Sequence, residues 1–116
     1  MDDGIRADIA YIAGRLISRR QASSVFDYTR AKHVIISGTV NDNSISIFDH
    51  SRSCHIAGNA SSLFDYGRGA HVSLRVTGQN FNGFDYGGGG HFAGNVNGSY
   101  INMFDYANSK HYIYSI

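Results

Sequence analysis

Tryptophan is absent from this chain, cysteine occurs once, and neither sign of charge dominates. The lone Cys54 rules out an intramolecular disulfide, which fits a reducing compartment without requiring one. Ten Lys plus Arg stand against nine Asp plus Glu, a formal net charge of +1, so no strong field draws the protein to nucleic acid or to an anionic membrane. Neither is expected as a partner. No apolar run is long enough to span a bilayer, and Asp2 and Asp3 sit where a secretory signal would carry positive charge. A cytoplasmic location is the default expectation. Catalytic signatures are also missing. No serine lies in a nucleophile-elbow pattern, and the run from Gly87 to Gly90 does not carry a strand into a helix as a phosphate-binding loop does.

What is present suits a β protein. Gly, Ser and Asn are abundant and Phe and Tyr frequent, a composition of strands joined by tight turns, and this aromatic content argues against disorder. At 116 residues the chain fits one domain, 1–116. Segment 2–20 reads as an amphipathic helix, with Ile5, Ile9, Ile12, Leu16 and Ile17 along one side. Asp2 or Asp3 can cap its start, and Arg15, Arg19 and Arg20 favour its end. The expectation is a helix that caps the domain, packed on it by that apolar side.

Segment 22–116 is a β-repeat region. A motif begins at Phe26, Phe48, Phe64, Phe84 and Phe104, reads Phe-Asp-Tyr in all copies but the second, and is answered seven residues later by His33, His55, His71, His91 and His111. In the second copy His50 takes the Tyr position. From each His to the next Phe the separation is odd, at 15, 9, 13 and 13 residues. Hairpins with two-residue turns require this, because shortening both arms together turns no side chain over. Centring the turns on Asn97-Gly98, Thr77-Gly78, Asn59-Ala60 and Asn41-Asp42 sets His91 opposite Phe104, His71 opposite Phe84, and His33 opposite His50. The short links, such as Gly67 to Ala70 and Gly87 to Gly90, read as the alternate turns.

Chained together, these five tandem hairpin-type repeats give an antiparallel meander of about ten strands, able to close into a barrel. The alternative is a β-solenoid with an N-terminal helical cap, since a period near 20 residues also suits stacked coils. Stacking would bring the five motif aspartates into a ladder of like charges at roughly 4.8 Å, whereas the meander holds them about two strands apart.

Alternation sends Val34, Ile36, Ile45, Ile47, Ile56, Leu63, Val72, Leu74, Phe92, Ile101 and Met103 to one face, the expected core. The other face receives the motif aromatics among small polar residues. All motif Asp, Tyr and His residues gather at one rim, and the candidate ligand-binding residues are Tyr28, His50, Tyr66, Tyr86, Tyr106, His33, His55, His71, His91 and His111. His and Asp are suitable metal ligands, yet successive motif histidines stand too far apart to share an ion at about 2.1 Å, so no metal and no cofactor is expected. The cadence resembles bacterial hairpin-repeat modules that bind wall glycans or choline. The resemblance covers the repeating part only, without the tryptophans that such modules use.

Five near-equivalent copies favour a repeated structural role over one distinctive catalytic constellation. A non-enzymatic structural or protein-interaction module, with self-association or a protein as partner, is the first expectation. A carbohydrate or small-ligand binder using the Tyr and His rim follows, and a metal-dependent enzyme comes last.

Overall fold

A computed structural model describes all 116 residues. Helix α1 (Asp3–Ser18) starts where Asp2 accepts a hydrogen bond from the Ile5 amide, and ends at Arg19, whose left-handed backbone (φ 62°) returns its amide to the Arg15 carbonyl. Ten strands follow: β1 (Ser24–Asp27), β2 (Lys32–Val40), β3 (Ile45–Asp49), β4 (Cys54–Asn59), β5 (Ser62–Asp65), β6 (Ala70–Thr77), β7 (Asn80–Asp85), β8 (Gly90–Asn97), β9 (Tyr100–Asp105) and β10 (Lys110–Ser115). Each pairs antiparallel with its sequence neighbour, and β10 pairs back on β1 to close the barrel. The antiparallel closed meander excludes the solenoid. The helix is not long and apolar enough to cross a membrane, which has no bearing on the strands.

The helix does not cap the domain. Every residue from Ile5 to Leu16 is buried, charged ones included, because α1 runs inside the barrel. Its apolar side meets the inward residues of the strands, as its spacing implies. Its opposite side carries Ala7, Ala10, Ala13 and Gly14, small enough for a helix to fit within a ten-stranded wall, since about eight strands leave room for side chains alone. All eleven strand residues expected in the core are buried, joined by Val25, Phe81, Val96, Tyr112 and Tyr114. The charged residues of α1 find partners inside. Arg15 donates to the Tyr11 hydroxyl, the Gly38 carbonyl and Gln21 Oε1.

The hairpin register differs from expectation by a slide of two residues in all four long hairpins. Asn97 pairs with Tyr100 and Thr77 with Asn80, so the turns are Gly98-Ser99 and Gly78-Gln79. The left-handed conformation falls on Gly98 and Gly78 (φ 60° each) and not on the residue after, which is the turn with glycine first rather than second. Likewise Asn59 pairs with Ser62 and Val40 with Ile45. Phe104 therefore faces Ala93, Phe84 faces Ser73, and His50 comes level with Ile35 instead of His33. A slide of two keeps every side chain on its expected face.

Candidate functional site

Each motif works as a unit at one rim, with its Asp inside the wall and its aromatics outside. Asp27, Asp49, Asp65, Asp85 and Asp105 end the odd-numbered strands and are buried. In each, Oδ1 accepts the backbone amide two residues on, and Asp27 and Asp49 also accept the next amide, so the carboxylate shapes the link that follows. The links are residues 28–31, 50–53, 66–69, 86–89 and 106–109, one position earlier than the glycine runs suggest. The last residue of each is left-handed: Ala31, Ser53, Gly69, Gly89 and Ser109.

Four of the five carboxylates also meet arginines. Arg30 pairs with Asp27 at 2.6 Å, Arg68 bridges Asp65 and Asp85 at 2.7 and 2.8 Å, and Arg52 links Asp65 to Asp8 of the helix at 2.8 and 2.9 Å. Arg6 of α1 reaches Asp105 at 3.3 Å and lies 3.6 Å above the Tyr112 ring. The amino end of α1 thus sits among the rim carboxylates, as its dipole favours. Burial tends to raise Asp85, yet hydrogen bonds and charge from Arg68, with the Gly87 amide, bring it below the usual carboxylate range. Asp8 behaves oppositely: burial first, then Asp49, pushes it well above that range despite Arg52. Asp49 is the one motif carboxylate without an arginine partner, and its buried Oδ2 and the Oδ1 of Asp8 have no hydrogen-bond partner. Burial pushes the Cys54 thiol up, so it holds little nucleophilic thiolate.

Outside, the structure gathers the aromatic candidates into five triads. The motif Phe faces its own His across the link, in register, and the Tyr position folds back on the same ring. Phe26 contacts Tyr28 and His33, Phe48 contacts His50 and His55, Phe64 contacts Tyr66 and His71, Phe84 contacts Tyr86 and His91, and Phe104 contacts Tyr106 and His111, all edge-on with centroids 4.6 to 4.9 Å apart. All ten candidate residues are exposed, while the Phe rings between them are half-buried. Together they form a collar around the barrel. No three His, Cys, Asp or Glu side chains converge in a group able to hold a metal.

No protein-family model, curated protein or solved structure matches this chain. Its own geometry therefore carries the functional reading.

Between successive triads the collar opens into shallow grooves. One is lined by Ser46, Phe48, His55, Ala57 and Tyr66, a second by Ser62, His71, Ser73 and Tyr86, and a third by Asn82, Phe84, His91, Ala93 and Tyr106. Their volumes are about 590, 450 and 750 Å³. Each is built alike, with the His of one repeat on one side and the Tyr of the next on the other. The floor residues escaped the sequence reading, although their signal is plain: Ala57, Ser73 and Ala93 each stand two residues after a motif His.

Proposed function

We propose that the protein is a non-enzymatic structural module whose aromatic collar is its interaction surface. One observation carries this reading. The helix and the inward side chains occupy the barrel interior, so the large repeated surface left for contact is the outer collar of exposed Tyr and His. The buried Asp and Arg network serves the links and the helix, and it leaves no free carboxylate beside a nucleophile on the collar. A near-zero net charge beside exposed aromatics favours contact with protein, a second copy included.

The test is a Tyr66→Ser, Tyr86→Ser, Tyr106→Ser variant, whose exposed substitutions leave the core intact. Sedimentation of the parent over a range of concentrations is expected to show self-association that the variant lacks, at equal thermal stability. A parent that stays monomeric, with tyrosines equally open to chemical labelling at all concentrations, would count against self-association.

The second reading, a carbohydrate binder, is favoured by the grooves. Tyr and Phe walls over a floor of Ser, Asn and Ala suit a ring with one apolar face and peripheral hydroxyls.

A further inference from the structure

The five joints between triads fall into two kinds. In three of them the residue two after the motif His lies directly opposite the next motif Phe: Ala57 opposite Phe64, Ser73 opposite Phe84, Ala93 opposite Phe104. In the other two the strands are staggered by two residues. Ser37 faces Phe48 and Ser115 faces Phe26. The stagger brings Ile35 level with His50 and Ile113 level with Tyr28, as the backbone bonds from the His50 amide to the Ile35 carbonyl and from the Tyr28 amide to the Ile113 carbonyl show. Those isoleucines are 52% and 38% exposed and stand beside the Tyr position of the next triad, where the other three joints have His55, His71 and His91. Both staggered joints are further tied, Ser37 to His50 at 3.0 Å and Ser115 to Tyr28 at 3.4 Å. The three unstaggered joints carry the grooves, side by side, and in the two staggered ones an isoleucine takes the place of the His beside the next triad.

We infer that the three open grooves form one continuous binding site for a neutral oligosaccharide lying across strands β4 to β9. The inference rests on the carbohydrate reading of the collar. No Lys, Arg, Asp or Glu lines any of the three grooves, so a charged ligand would find no counter-charge there. Arg52 and Arg68 are spent on Asp8, Asp65 and Asp85, and Arg75, opposite Asn82 at the edge of one groove, is a single exposed cation outside the lining. A nucleic acid strand, which needs cations along its phosphates, does not fit. Each groove offers a Tyr face for stacking and Ser, Asn, Tyr or His groups for hydroxyls. Two strands separate one groove from the next, roughly 9.5 Å along the sheet. A chain of rings with a regular repeat meets that period. A polypeptide adding itself as a strand does not, because a closed barrel presents no edge.

The variant that tests this fills the groove floors with the isoleucine that β2 and β10 carry two residues after the motif His: Ala57→Ile, Ser73→Ile and Ala93→Ile together. These positions face outward, and only Ser73 gives up a hydrogen bond, its hydroxyl accepting the Phe84 amide, so the variant should stay folded with a melting temperature a few degrees below the parent's at most. The probes are neutral β-linked glucose and N-acetylglucosamine oligomers of increasing length, followed by NMR. The expected result is perturbation of the Tyr66, Tyr86 and Tyr106 rings with Tyr28 silent. Affinity should rise with chain length until all three grooves are spanned, and the triple variant should bind at least about tenfold more weakly. No perturbation by any oligomer, equal response at Tyr28, or undiminished binding by the variant would overturn the inference. If the variant instead abolishes self-association while no sugar binds the parent, the oligosaccharide is wrong and the collar stands as a protein surface. If the variant changes neither property, both readings fall.

Discussion

Ala31, Ser53 and Ser109 hold the left-handed backbone that glycine holds in the other two links. A side chain in that region costs roughly 1–2 kcal/mol, part of which glycine returns through its greater freedom in the unfolded chain. Ala31→Gly should therefore stabilise the protein by about 0.5–1 kcal/mol, read as a rise in the denaturation midpoint at unchanged slope. The Asp8 and Asp49 pair makes a second residue-level prediction. A proton on Asp8, donated to Asp49, satisfies both of their unpartnered oxygens. The other charged or titratable groups around Asp8 are Arg52, its ion-pair partner, and Cys54 and Asp65 beyond it. Because the folded-state value of Asp8 is raised, the stability it contributes is fully present below the unfolded value near 4. It declines by about 1.4 kcal/mol per pH unit until the folded value is passed. Asp85, lowered by Arg68, acts oppositely, its contribution disappearing as pH falls below about 4. Stability should thus peak in mild acid. Asp49→Asn puts an amide donor against Asp8 while its oxygen still accepts the Ser51 and Arg52 amides. Melting above about pH 4 should decline for the parent and decline less for this variant, in which burial alone still raises Asp8. A parallel decline in both would refute the shared proton.

At the scale of elements, two glycines of the wall matter for the side chain they lack more than for their flexibility. Gly83 and Gly94 face inward, and a Cβ on either would collide with a carbonyl of the adjacent strand, that of Ser73 or Asn102, and with the ring of Phe92 or Phe81. The aromatic of the neighbouring strand covers the place of the missing side chain. Gly83→Ala should cost at least about 2 kcal/mol by overpacking against backbone that cannot yield. Gly69→Ala, left-handed but open to solvent, should cost about half that, and urea titration of the two variants ranks them. Legibility in the sequence divides along the same line. Alternation along each strand names the inward residues whatever the register, which is why the core from Val34 to Met103 and the outward Tyr and His were readable. Register depended on whether Gly78 and Gly98 sit first or second in their turns, a choice of conformation that the dipeptides Thr-Gly and Asn-Gly leave open. The stagger of the first hairpin was readable, since its turn set His33 opposite His50 where the others set His opposite Phe, whereas the stagger of β10 on β1 follows from barrel closure and could not be read from hairpins taken singly. The helix was readable as a helix, but its location was not. Arg6, Asp8 and Arg15 on its polar side suggest solvent until partners such as Asp105, Arg52 and Gly38 are seen around them.

At the scale of the molecule, a helix inside a closed barrel ties the most local element to the least local one. Alone, a helix of 16 residues is marginal in water, so α1 takes its stability from the wall around it. The wall in turn closes only when β1 meets β10, and just two register pairs, Phe26 with Ser115 and Asp27 with Tyr114, join them, against six between β7 and β8. The seam is the weakest joint of the barrel, yet opening it does not release the helix, which also packs on β2, β8 and β9. Native-state hydrogen exchange separates these levels. Amides of the seam, Tyr28 among them, are expected to exchange through a local opening that depends little on denaturant. Amides from Ile9 to Ala13 are expected to exchange only with global unfolding, at the full unfolding free energy and with its full denaturant dependence. Should the helix amides exchange faster than those of β7 and β8, α1 would be an independent element that leaves the barrel without unfolding it, and the interior would then be open to a ligand.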